Sequence, residues 1–153
     1  YEIIGETRDD AAGECFDKTA RILGLGYPGG PVISQIAARI IEGSPTSLNR
    51  SRTSIILPRP MMYTKDYDFS FSGLKTAVLY DFKSRSSKVK KSKEYIQAMC
   101  YEVQQAIIDV LIKKTIKAAK DYNAKSIILG GGVSANNELR KQFAENCKQK
   151  IIM

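Results

Sequence analysis

Residues Gly5 to Pro31 read GETRDDAAGECFDKTARILGLGYPGGP, an acid-bearing helix closed by a turn rich in glycine and proline. Thr7 followed by Asp10 resembles a capping box, with the short Asp in place of Glu or Gln. Gly24, just past Leu23, is a natural stop, because glycine enters the left-handed conformation without penalty. Between these ends Ala12, Cys15, Phe16, Thr19, Ile22 and Leu23 repeat at helical spacing and form an apolar face. Asp10, Glu14, Asp17 and Arg21 share another face. Like charges three or four residues apart destabilise a helix by about 0.2–0.5 kcal/mol per pair. The acids therefore either form a solvated face relieved by Lys18 and Arg21, or wait for hydroxyls, a cation or a basic partner. In the turn that follows, Pro28 presets one dihedral and Gly29 can supply a positive φ. Gly30 adds a position without a side chain, where a ligand can touch the backbone.

Upstream, Tyr1–Ile4 is β-prone and is expected to be a strand feeding this helix. Downstream, Val32, Ile33, Ile36, Ala37, Ile40 and Ile41 predict a second helix, stopped at Gly43. Ser44–Pro60, punctuated by three prolines, reads as a long excursion over the surface, with a β-prone run at Ser54–Leu57. Tyr67, Phe69 and Phe71 alternate with polar residues as in a half-buried strand, after which Ser72 caps a helix to about Phe82. Ser70 and Ser72 have no base nearby in sequence, which argues against a serine nucleophile. Lys83–Lys93 holds six basic residues and no acid: a solvated loop, or a surface for phosphates. From Glu94 to about Tyr122 an apolar stripe through Ile96, Met99, Cys100, Val103, Ala106, Ile107, Val110 and Leu111 predicts a long core helix with no role in chemistry. Its late lysines, Lys113, Lys114, Lys117 and Lys120, suit the helix dipole.

Ser126–Leu129 has the composition of a buried strand. The triplet Gly130, Gly131, Gly132 follows at once, and Asn136-Asn137 opens a helix carrying Leu139, Phe143 and Cys147. Strand, glycine loop and helix N-terminus can present backbone N–H groups to a nucleotide, or can simply turn the chain. The loop is neither a Walker A sequence nor GxGxxG.

Composition sets wider bounds. The 153 residues amount to one domain with a net charge of +8, which suits a polyanion such as RNA. Cys15, Cys100 and Cys147 lack metal-ligand spacing and read as reduced core thiols, hence a cytoplasmic setting. No run of about eighteen apolar residues marks a membrane span. The start at Tyr1 and the break after Lys150-Ile151-Ile152-Met153 suggest a piece of a longer protein.

Three stretches carry a family resemblance. GETRDDAAGECFDKTARILGLGYPGGP, FSFSGLKTA at Phe69–Ala77 and GGGVSANNELR at Gly130–Arg140 together resemble the TsaD family of tRNA threonylcarbamoyladenosine synthases, in its bacterial form. This resemblance implies an α/β fold like actin, the sugar kinases and the heat-shock chaperone ATPases, with residues 1–153 as most of its second, C-terminal lobe and an inserted region around 44–93. It implies transfer of a threonylcarbamoyl group from threonylcarbamoyl-adenylate to the adenine beside the anticodon. tRNA would be the substrate, and the partners would be the paralogous and ATPase subunits of the bacterial complex. By motif position, Asp17, Gly30 and Asn136 match the family's adenylate-binding residues, and Ser34 stands where some relatives place an acid on the ribose.

The family's divalent metal, iron, is held by an HxxxH segment and a later aspartate. This chain has no histidine, so the ligands are expected outside it and the chain alone is expected to be inactive. The family's sheet order would separate Tyr1–Ile4 from Ser126–Leu129 by two further strands, which predicts a gap, a partner or a rearranged sheet. A kinase or ATPase of the same fold and a non-enzymatic basic RNA-binding module are the alternatives. Proteolysis lacks an HExxH or Cys–His pair.

Overall fold

The computed structural model describes residues 2–42, 55–147 and 150–152. Its frame is helical. α1 (Ala12–Ile22) and α2 (Gly29–Glu42) form a hairpin that packs on a 29-residue helix, α5 (Lys93–Asp121). α3 (Ser72–Ser84) lies against α1 and α5, and the short α4 (Ser87–Lys90) leads into α5. After α5 come β1 (Ser126–Ile128), a 3-10 turn (Gly132–Ala135), α6 (Asn137–Asn146) and β2 (Lys150–Ile152).

The main core lies where α1, α2, α3 and α5 meet, around Phe16, Ile33, Leu74, Met99 and Val103. A smaller cluster, Ile108, Ile112, Leu139 and Phe143, holds α6 to the second half of α5. Cys15 and Cys100 are buried as expected, and burial pushes both thiols up to about 12; Cys147 is half-buried at the end of α6.

Helix existence follows the apolar periodicity, but the helix starts differ. Thr7 is no cap: its hydroxyl donates to the carbonyls of Asp9 and Asp10, and α1 begins after Ala11 without a side-chain cap. Ser72 does not cap α3 either. The carboxylate of Asp9, remote in sequence, accepts the N–H groups of Phe71 (2.9 Å) and Ser72 (3.2 Å). Ser92 does cap α5, accepting from the Tyr95 N–H. Gly24 stops α1 with φ +71°. Gly29 has no positive φ; it is the first residue of α2, where a Cβ would lie 2.6 Å from the Phe16 carbonyl oxygen. Its bareness lets the α1–α2 hairpin close.

The strands are fewer than the composition suggests. Residues 2–4 form no strand, and Ile3 is 77% exposed. A strand needs a neighbour to take its N–H and C=O groups, and no described segment lies beside these residues as a ladder. The question of a gap between two such strands therefore does not arise. Among the described residues, 67–71 make only a single parallel bridge, Thr7 with Phe69. β1 pairs in parallel with β2 (Ser126 with Lys150, Ile127 with Ile151, Ile128 with Ile152), α6 supplying the crossover. Of β1 only Ile127 is buried and Ile128 is 75% exposed, so the strand is not the buried one expected.

Two further readings change. The excursion's described part, residues 55–60, is tied to α5, with Ile55 and Leu57 buried and Arg59 paired to Glu102 and Asp109. The stop at Gly43 and most of the excursion lie outside the described residues. The basic stretch before α5 is partly used at home: Arg85 pairs with Asp81 at 2.6 Å, and Lys90 sits over the Phe82 ring. Lys114, read as one of the late lysines that suit the helix dipole, is buried and bonded to the 64–68 loop.

Candidate functional site

A cavity of about 1070 Å³ opens between the α1–α2 hairpin on one side and the 3-10 turn and start of α6 on the other. That is ample for a nucleotide-sized molecule. Phe16, Pro28, Pro31, Ala38, Val133 and Ala135 make its walls largely apolar. Its polar groups come from separate elements, so each position has its own local cause.

Asp17 lies on α1, one turn before the helix ends. Its Oδ1 accepts the Gly29 N–H at 2.7 Å, satisfying one of the four donors that a helix start leaves open. Its other oxygen has no described partner and the residue lines the cavity. The chain reaches Gly29 through a cis Tyr27–Pro28 peptide. Gly30 then faces the cavity, its nearest neighbour for an added Cβ being the Phe16 Cβ at 4.0 Å. Ser34 follows one turn later on the same side of α2.

Opposite them, Gly131 (φ +83°) turns the chain and Gly132 starts the 3-10 turn. Only Gly132 of the triplet lines the cavity; Gly130 and Gly131 do not. Asn136 caps α6, its Oδ1 accepting the Leu139 N–H at 2.9 Å. Its Nδ2 donates to Gln104 Oε1, also at 2.9 Å. Asp17, Gly30, Ser34 and Asn136 thus line one cavity.

Gln104 was missed, since α5 reads as a helix without chemistry. The available signal was a lone amide on the stripe of Cys100, Ile107 and Ile108. Glu138 and Lys141 on α6 were also missed; they bring opposite charges to the lining.

The rest of the acidic face is matched internally. Lys18 bridges Asp10 (2.6 Å) and Glu14 (2.7 Å), and Lys75 reaches Asp10 at 3.0 Å. Lys18 foremost holds the Asp10 carboxyl below its usual range, against burial, with help from Lys75. Of the three acids, Asp17 alone keeps an oxygen for the cavity.

The fold also brings a carboxylate to the two serines that lacked a base in sequence. Ser70 and Ser72 donate their hydroxyls to Asp9 at 2.6 and 2.5 Å. Burial would push the Asp9 carboxyl up, but these bonds and two backbone N–H bonds outweigh it and hold the carboxyl far below its usual range. So stabilised an anion is a poor proton acceptor, which makes the cluster a latch rather than a nucleophile site.

No set of three His, Cys, Asp or Glu side chains among the described residues is arranged to hold a metal ion. No helix is long and apolar enough to cross a membrane, among the described residues.

The family model "TsaD: tRNA N6-adenosine threonylcarbamoyltransferase" matches residues 1–153. Proteins named tRNA N6-adenosine threonylcarbamoyltransferase align with the chain. That of Thermosipho africanus is 52% identical over 99% of this chain and 42% of its own length. Those of Fervidobacterium nodosum and Thermosipho melanesiensis are each 48% identical, over 92% and 99% of this chain and 39% and 42% of their own lengths. The chain thus spans about two fifths of the length of these relatives.

Proposed function

The chain belongs to the TsaD family, and from that premise we propose that it supplies the adenylate-binding part of a tRNA N6-adenosine threonylcarbamoyltransferase. The intact protein would move a threonylcarbamoyl group from threonylcarbamoyl-adenylate to N6 of the adenine beside the anticodon of tRNA. The new bond joins N6 to the carbamoyl carbon, the bond from that carbon to the phosphate oxygen breaks, AMP leaves with the electron pair, and N6 loses a proton. The observation that carries this reading is the meeting of Asp17, Gly30, Ser34 and Asn136 around one cavity.

In this reading the chain's residues bind and orient the donor. The free oxygen of Asp17 accepts from a ribose hydroxyl while its partner oxygen stays on Gly29. Ser34 offers a second contact to the sugar. Gly30 admits the ligand against bare backbone, and Asn136 keeps one N–H and one lone pair for it. The apolar walls exclude water from the bound adenylate.

The actin-like fold, with this chain as most of a second lobe and an insertion around 44–93, belongs to the same proposal. So do a cytoplasmic setting and the paralogous and ATPase subunits as partners. The family's divalent metal, iron, finds no donor set among the described residues, so its ligands are proposed to lie outside this chain. When bound it would supply Lewis-acid polarisation of the donor.

Substituting Asp17→Asn in the intact protein tests the reading by AMP titration. Asn still accepts the Gly29 N–H, so the hairpin holds, while a charge-assisted bond of about 1.5–3 kcal/mol to the ligand is weakened. The expected loss is about tenfold or more in affinity. Unchanged affinity would overturn the assignment.

A further inference from the structure

Gln104 is 2% exposed, sits among the core residues of α5, and yet lines the cavity. Its amide orientation is determined by its neighbours. The Leu139 N–H must meet an oxygen, which puts Asn136 Oδ1 on the α6 start and turns Asn136 Nδ2 to Gln104. Nδ2 in turn must meet an oxygen, which is Gln104 Oε1. The Gln104 Nε2 group is left over, and it donates to none of the described residues. Nε2 is not among the buried atoms left without a partner, so it is open to the cavity, where a ligand acceptor can take its N–H for a net gain of about 0.5–1.5 kcal/mol.

We propose that Gln104 is a ligand-contacting specificity residue whose Nε2 donates to a ring nitrogen of the purine held in the cavity. This deepens the adenylate reading above and rests on it. The three parts of an adenylate call for different partners. Its hydroxyls are served by the Asp17 carboxylate, and its phosphate by cations such as Lys141 and by helix N-termini. A neutral donor facing a cavity whose lining includes Phe16 and Val133 matches the base, which is flat, largely apolar and edged by neutral acceptors.

The test titrates the intact protein with AMP and with its three monodeaza analogues, in which N1, N3 or N7 is replaced by C–H. One analogue should bind the wild type about five- to tenfold more weakly than AMP, the worth of one hydrogen bond. In Gln104→Met, which keeps length and bulk, AMP and that analogue should bind alike. If that variant does not fold, Gln104→Glu replaces it, keeping the oxygen for Asn136 while removing the donor. Equal wild-type affinity for AMP and all three analogues would overturn the proposal while sparing the adenylate reading. So would a Gln104 variant that weakens AMP and every analogue by one common factor, since that is the mark of a role only in holding Asn136. Absence of AMP binding by the wild type would overturn both.

Discussion

Lys114 replaced by methionine should destabilise the protein by about 3 kcal/mol, the low end of the cost of breaking a buried ion pair. The lysine is 1% exposed, and its Nζ bonds Thr64 Oγ1 (2.8 Å), Asp66 Oδ1 (2.9 Å), the Asp66 carbonyl (3.2 Å) and the Asp68 carbonyl. Methionine matches the lysine chain as far as Cε and lacks only the ammonium position, so the loss is chiefly polar rather than a large cavity. An ammonium has three protons to share among these four acceptors, each bond to a charged group being worth about 1.5–3 kcal/mol. The full sum overstates the cost, because two acceptors keep other partners. The Asp66 carboxylate is 37% exposed and retains Arg8 at 3.1 Å. Thr64 keeps an acceptor for its one hydroxyl proton, either Asp66 Oδ1 or the Met61 carbonyl. What is stranded is the pair of carbonyls at Asp66 and Asp68. Removing the ammonium also recovers its desolvation. Urea unfolding gives the value, with Lys117→Met as the control. Lys117 makes an exposed pair with Asp121 four residues on, which is worth about 0–1 kcal/mol. A Lys114 variant that loses no more than the Lys117 variant would refute the reasoning.

Neighbouring glycines should separate fold from binding: Gly29→Ala drives a methyl into Phe16 and Asp17 and should cost about 1–3 kcal/mol in urea unfolding. Gly30→Ala meets nothing closer than 4.0 Å and should change stability by less than about 0.5 kcal/mol while weakening AMP binding; the reverse pattern would count against the site. Asp9 makes an acid-dependent contribution. Its folded-state carboxyl lies below the unfolded value, so the stabilisation is present above about pH 4 and drains away as the pH falls further. Acid titration of Asp9→Asn should show lower stability at neutral pH and a shallower fall below about pH 4, and superimposable acid limbs would contradict the latch.

The long helices were legible because periodicity is local: α2 and α5 repeat apolar residues at helical spacing whatever lies around them. What depended on distant residues was not. Thr7 and Ser72 have the chemistry of caps, but Asp9 takes the N–H groups at α3 from another segment. Lys114 looks like any late-helix lysine until the 64–68 loop folds over it. Residues 2–4 have strand composition without a ladder to join. In the site, Asp17, Gly30, Ser34 and Asn136 come from motif resemblance; the convergence of Asp17, Gly30 and Asn136 on one pocket is expected from their places at helix and turn ends, and all four line one cavity. Gln104 is hidden in the sequence because a lone amide within an apolar stripe leaves the helical periodicity intact.

The division of the interior into two clusters bears on how the cavity opens. Asp17, Gly30 and Ser34 ride on helices anchored in the larger cluster, while Asn136 rides on α6, anchored by four buried residues. Val133, in the cavity lining, packs against both. The seam between a firmly held unit and a lightly held one therefore passes through the binding site. Regions with few buried contacts undock at lower free energy than the rest of a fold. Detachment of α6 and its turn would admit or release a ligand without disturbing the α1–α2 hairpin. A molecule spanning the seam would by mass action suppress that detachment, so occupancy would be written into the local stability of α6 more than into that of any other helix.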